Sequence, residues 1–82
     1  MHITVELSYY PLTDAYDKPV LELLELIKNQ ADISVEVGTM STLLSGEYDQ
    51  VMALLNSSMK QLMQKYPSVF NLKIANACEV KV

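Results

Sequence analysis

The 82-residue chain predicts an α+β fold of order βαββαβ, a ferredoxin-like sandwich whose four-stranded antiparallel sheet carries two helices on one face. Three observations lead there. Residues alternate between apolar and polar near both ends of the chain and in its middle; apolar residues recur at helical spacing in two stretches between; and no linker interrupts the sequence, so residues 1–82 read as one domain. In the usual strand order of such a sandwich, 4-1-3-2, the first and third strands are the central pair.

From His2 to Tyr10, Ile3, Val5, Leu7 and Tyr9 fall on one face and His2, Thr4, Glu6, Ser8 and Tyr10 on the other, the pattern of a strand buried on one side. Pro11 stops it. Asp14 or Asp17 is placed to cap a helix that tolerates Pro19 in its first turn and repeats Val20, Leu23, Leu24 and Ile27. A second strand follows Asn29, with Ile33, Val35 and Val37 opposite Ser34 and Glu36. A junction near Gly38 leads back through a third strand, Met40 to Leu44, although no Asn-Gly turn marks the hairpin. Gly46, Glu47 and Asp49 suit a helix start, where acidic groups meet the positive end of the dipole. Val51, Leu54, Leu55, Met59, Leu62, Met63 and Tyr66 form the second stripe, ended by Pro67. Phe70, Leu72 and Ile74 alternate with Asn71, Lys73 and Ala75 as the last strand; Val80 and Val82 extend it or pair with another chain.

Composition narrows the function. A chain this short buries roughly 60% of its unfolded surface and is marginally stable alone, so a second copy would help it. A net charge of −4 without a Lys cluster argues against nucleic acid. The longest apolar stretch, Val20 to Ile27, is broken by Glu22 and Glu25 and is far below a membrane span, and MHITVELSYYPL lacks the features of a signal peptide. Cys78 has no thiol partner, which fits a reducing cytosol, the expected location. It reads as a small hydrophobe, and His2 as a strand-end surface residue without a metal partner. Met52, Met59 and Met63 fit helix packing, and Glu22, Glu25 and Lys28 a solvated helix face. No Ser-His pair with a third member or shielded carboxylate pair is apparent, so the chain is expected not to be an enzyme, and no cofactor or metal is implied.

The uncovered sheet face is the candidate site. The strand order places Thr4, Glu6 and Ser8 beside Thr39 and Ser41, with Glu36 further out on the same side. Such a face must be polar in any soluble monomer, but hydroxyls flanked by two carboxylates also offer acceptors to a small cation. Facing depends on register. If Met40 and Leu44 point at the helices, Thr39 and Ser41 face the ligand; a slip of one residue exchanges them for Thr42.

SYYPL at 8–12, followed by VGTMSTLLSGEYDQVMALL at 37–55, resembles the YKOF-related family and the thiamine-binding proteins of the same superfamily. The resemblance covers most of the chain. It implies a ferredoxin-like fold that binds thiamine or its hydroxymethylpyrimidine portion without catalysis. It also implies a ligand region at Ser8–Tyr10 and at 39–42, with Glu47 in the same motif but serving the helix dipole. A cationic thiazolium and an aminopyrimidine donor suit hydroxyl and carboxylate acceptors, with Tyr10 or Tyr9 for stacking. The candidate ligand set is thus Glu6, Ser8, Tyr10, Glu36, Thr39, Ser41 and Thr42. Some family members carry two repeats where this chain has one, so a homodimer or dimer of dimers is expected to supply the matching surface. The alternative is an oligomeric regulatory or interaction module, comparable to an ACT-type domain, that binds another metabolite or protein only.

Overall fold

A computed structural model describes residues 1–77. The elements run β1 (His2–Pro11), α1 (Asp17–Ile27), β2 (Ser34–Val37), β3 (Thr42–Glu47), α2 (Tyr48–Lys65) and β4 (Ser68–Ala75). They form one antiparallel sheet of order β2-β3-β1-β4 with both helices on the same face, the ferredoxin-like sandwich that the periodicities predict. Cys78 and the expected extension at Val80 and Val82 lie outside the described residues.

The core is built from the two periods. Ile3, Val5 and Leu7 from β1 and Leu44 from β3 project from the sheet onto Leu23 and Ile27 of α1 and Val51, Leu55 and Leu62 of α2, all essentially inaccessible. Burying each such side chain contributes about 1.5–3 kcal/mol, so these nine positions hold the layers together. Val5 pairs with Leu44 across the two central strands, which locks the core face; Glu6 opposite Leu43 is then forced onto the open face.

The structure corrects several local readings. The third strand begins at Thr42, not Met40. Gly38 N–H donates to Ser41 O at 2.8 Å, which closes a tight turn with Thr39 and Met40 at its tip. Met40 is accordingly 87% exposed and belongs to no core. Gly46 and Glu47 end β3, while Glu47 is also the N-cap of α2 and Asp49 lies in its first turn, as expected of acidic residues at a helix start. Gly46 lies under the α1–β2 connection, where an added Cβ would meet the Asp32 carbonyl oxygen at 2.9 Å and Val51 Cγ2 at 3.2 Å. Only a residue without a side chain lets these backbones approach so closely. Glu47 occupies the position before α2 but makes no capping bond; its carboxylate takes the Met1 ammonium at 3.0 Å. Neither Asp14 nor Asp17 caps α1, since Tyr16 stands at the cap; Asp17 is the helix's acidic first residue. Pro11 is the last residue of β1, paired with Ser68, so the strand runs one residue further than expected.

Glu22 is part-exposed but paired, and is not simply one of the solvated side chains of α1. Its carboxylate accepts hydrogen bonds from Tyr66 Oη and from Lys65 Nζ, the latter at 3.0 Å, tying α1 to the end of α2. The Tyr66 bond, with Lys65 assisting, holds the Glu22 carboxyl below its ordinary value of 4.5, and the same bond to the carboxylate lifts the Tyr66 phenol above 10.0. Ser68 continues the tie by donating to Tyr66 O and sharing a 3.0 Å hydrogen bond with Tyr9 Oη. Glu25 and Lys28 do form an exposed i,i+3 pair, at 2.6 Å.

Gly46→Ala is expected to lower stability by about 1–3 kcal/mol, seen as a lower urea midpoint with an unchanged m-value; a midpoint equal to wild type would mean that the Asp32 backbone moves aside freely. A depressed carboxyl contributes stability above its unfolded value and loses it as pH falls through the folded one, whereas a raised phenol contributes below its unfolded value and loses it as pH rises. The Tm difference between wild type and Tyr66→Phe should therefore be constant between pH 4.5 and 10.0 and shrink on both sides. A pH-independent difference would show that the charged form of Glu22 is not what Tyr66 stabilises.

Candidate functional site

The polar face of β1 and the hairpin between β2 and β3 bring most of the sequence-predicted residues to one end of the molecule. On the open face the strands align side chains in rows. Ser34, Ser45, Thr4 and Ala75 form one row, with a 3.1 Å hydrogen bond between Thr4 Oγ1 and Ser45 Oγ. Glu36, Leu43, Glu6 and Lys73 form the next, and Ser8 with Asn71 a third.

Glu6 is the centre of this arrangement. Its Oε2 accepts the Ser41 hydroxyl at 3.1 Å, and its Oε1 lies 3.8 Å from Lys73 Nζ. A shallow concavity of about 200 Å³ is lined by Glu6, Glu36, Val37, Gly38, Ser41 and Leu43. Two carboxylates on strands separated by one other stand about 10 Å apart at their backbones, with Leu43 as the floor between them. That geometry suits a cation with an apolar body.

On the other side of the Gly38–Ser41 turn lies a second recess of about 180 Å³. Leu23 and Leu24 of α1 wall it, and Ser8, Thr39, Ser41 and Thr42 supply hydroxyl-bearing residues. Thr42 is only 8% exposed, because it shares the covered face with Leu44. The expected row of Thr39 and Ser41 beside Glu6 is therefore half right. Ser41 reaches Glu6, Thr39 has left the sheet for the turn, and Thr42 belongs to the helix-side recess. The β3 side chain facing Glu6 across the strands is Leu43, 37% exposed.

Tyr10 lines neither recess; it is exposed on the open face opposite Val69. Tyr9 does reach the helix-side recess, but one face of its ring stacks on Phe70, with centroids 4.5 Å apart and planes within 7°. Sequence reasoning missed Leu43, Lys73 and the α1 wall. Lys73 was legible in principle, because strand order 4-1-3-2 puts the last strand beside the first; the missing quantity was the register that sets Lys73 against Glu6. The walls could not be read, since helix residues at core spacing carry no mark of the cavity they border.

Two further grooves lie at the opposite end of the sheet, lined in part by Asp32, Ile33, Gln50 and, in the larger, His2 and Glu47. Among the described residues no group of three or more His, Cys, Asp and Glu side chains could hold a metal ion, and no helix is long and apolar enough to cross a membrane.

Solved structures with this fold include three that match nearly the whole chain. A Streptococcus pneumoniae protein is 24% identical, with 98% of this chain and 90% of that one covered at a TM-score of 0.85. A Thermotoga maritima protein, provisionally assigned to thiamine biosynthesis or salvage, is 21% identical over 94% and 85% of the two chains at 0.82. A Methanocaldococcus jannascii protein of hypothetical function is 23% identical over 98% and 84% at 0.80. At these identities the likeness concerns the fold. No curated protein matches the chain. The thiamine-binding protein family, in contrast, matches residues 5–80, which span the polar strand, the hairpin, both recesses and β4, and the chain belongs to that family.

Proposed function

We propose that this protein binds thiamine non-catalytically as an oligomer in the cytosol, with the cationic thiazolium over Leu43 between Glu6 and Glu36 and the aminopyrimidine in the recess behind the Gly38–Ser41 turn. One observation carries the reading: the acidic concavity and the hydroxyl-lined recess share Val37, Gly38 and Ser41, so a ligand with a cationic half and a hydrogen-bonding aromatic half can engage both across a single turn. Membership of the thiamine-binding family supports it. Thr42 then offers its hydroxyl to the aminopyrimidine, Thr39 and Ser41 line the crossing, and Ser8 and Tyr10 border the open face. The free alcohol fits better than a phosphate ester, which would bring negative charge to two carboxylates. Hydroxymethylpyrimidine would use the recess alone.

A second reading has its own support. Leu43, Val69 and Tyr10 expose apolar surface among the hydroxyls of the open sheet, so this face also suits a second copy of the chain, as a homodimer or dimer of dimers. In that case Glu6 and Ser41 are interface groups first and ligand groups second.

Calorimetry should show thiamine binding, weakened about tenfold by Glu6→Gln, which removes a charge facing the cation, and less by Ser41→Ala, with melting temperatures little changed. No heat with thiamine or hydroxymethylpyrimidine on folded protein would end the binding reading. Leu43→Glu should leave the protomer folded but reduce the mass seen by size-exclusion chromatography with light scattering; an unchanged mass would remove the open face from the assembly.

A further inference from the structure

We infer that Lys73 is a built-in counter-ion that competes with the bound cation for Glu6 and so sets both the affinity and the charge selectivity of the acidic concavity. The inference rests on the thiamine-binding reading and adds a residue to it. Lys73 stands directly opposite Glu6 in the β1–β4 register, with its Nζ 3.8 Å from Glu6 Oε1. Its position is unusual in this chain. There is no Arg, Lys18, Lys60 and Lys65 lie in the helices and Lys28 at the C-cap of α1, so Lys73 is the sole lysine on the strands of the described residues. Glu36, at the other end of the same row, forms no ion pair among the described residues.

Without ligand, the row Glu36–Leu43–Glu6–Lys73 therefore carries two negative charges and one positive, with the positive charge at one end. A cation settling over Leu43 gains attraction from both carboxylates and meets repulsion from the Lys73 ammonium roughly 10 Å away across two strand spacings. Lys73 is 82% exposed on its side chain and held by a single long contact, so it can swing away at little cost. At that separation, with solvent close by, removing one unit charge changes the binding of a monovalent cation by about two- to fivefold. Salt suppresses such an effect, because the distance is close to the Debye length of about 8 Å at physiological ionic strength. The lysine thus leaves the site net acidic by one charge rather than two, which moderates its affinity for any small cation.

Calorimetric titration of wild type, Lys73→Gln and Lys73→Arg with thiamine and with neutral hydroxymethylpyrimidine tests this. Lys73→Gln should bind thiamine two- to fivefold more tightly at 50 mM salt, with the gain largely lost at 0.5 M. Its affinity for hydroxymethylpyrimidine should be unchanged, and Lys73→Arg should match wild type for both ligands. Lys73→Thr, which retains strand propensity, serves the same purpose if the glutamine variant proves unstable. Equal or weaker thiamine binding by the neutral variants, with wild type still binding, would overturn the role of Lys73 and leave the binding reading standing. An equal gain for the neutral ligand would overturn it as well, since the effect would then be steric. Failure of every form, wild type included, to bind thiamine would overturn both.

Discussion

The pairing of Val5 with Leu44 across the central strands governs where the other groups of this protein lie. Side chains alternate strictly along a strand, so once these two point at the helices, Ile3 and Leu7 follow them inward and Thr4, Glu6 and Ser8 are turned outward. A slip of one residue would bury Glu6 without a partner and expose half of the core, an arrangement costing several kcal/mol. The chemistry of the open face is thus enforced by the hydrophobic demand of the opposite face.

That constraint ends where the strands do. At the Gly38–Ser41 turn the chain reverses in two residues, and the alternation that sorts side chains on β3 begins only at Thr42. Four consecutive residues therefore go three ways. Thr39 and Met40 crown the turn, Ser41 bends to the Glu6 carboxylate, and Thr42 sinks toward the helices. A short polar run thereby borders two recesses of different character, one acidic and open, the other hydroxyl-lined and walled by α1. The turn can serve both because it is one backbone thick.

Charge in the structure is arranged locally. The Glu22 carboxylate is spent on Tyr66 and Lys65 and holds the helices together, while the Glu6 carboxylate faces solvent with a hydroxyl and a distant ammonium as its neighbours. The same side-chain type thus serves cohesion on one layer and, in the proposed site, recognition on the other. What separates the two uses is the number and quality of the donors around each group: a satisfied carboxylate has little left to offer a ligand, and a partly satisfied one has much.

The sequence by itself determined the element order and the inward face of β1, because two- and 3.6-residue periods depend only on which neighbours along the chain are apolar; the sandwich and its strand order followed from the usual arrangement of that element order. Motif resemblance named the family that residues 5–80 match. The tertiary structure decided the rest. It moved Met40 out of the core and Gly46 into β3, since a tight turn and a carbonyl 2.9 Å from an absent Cβ are set by contacts between distant segments. It made Glu22 an inter-helix tie through residues 43 and 44 positions away, and put Lys73 beside Glu6 through a register of paired strands. Periodicity reports which side of an element is buried; it holds no information about what lies across the gap, and a binding site is made of what lies across the gap.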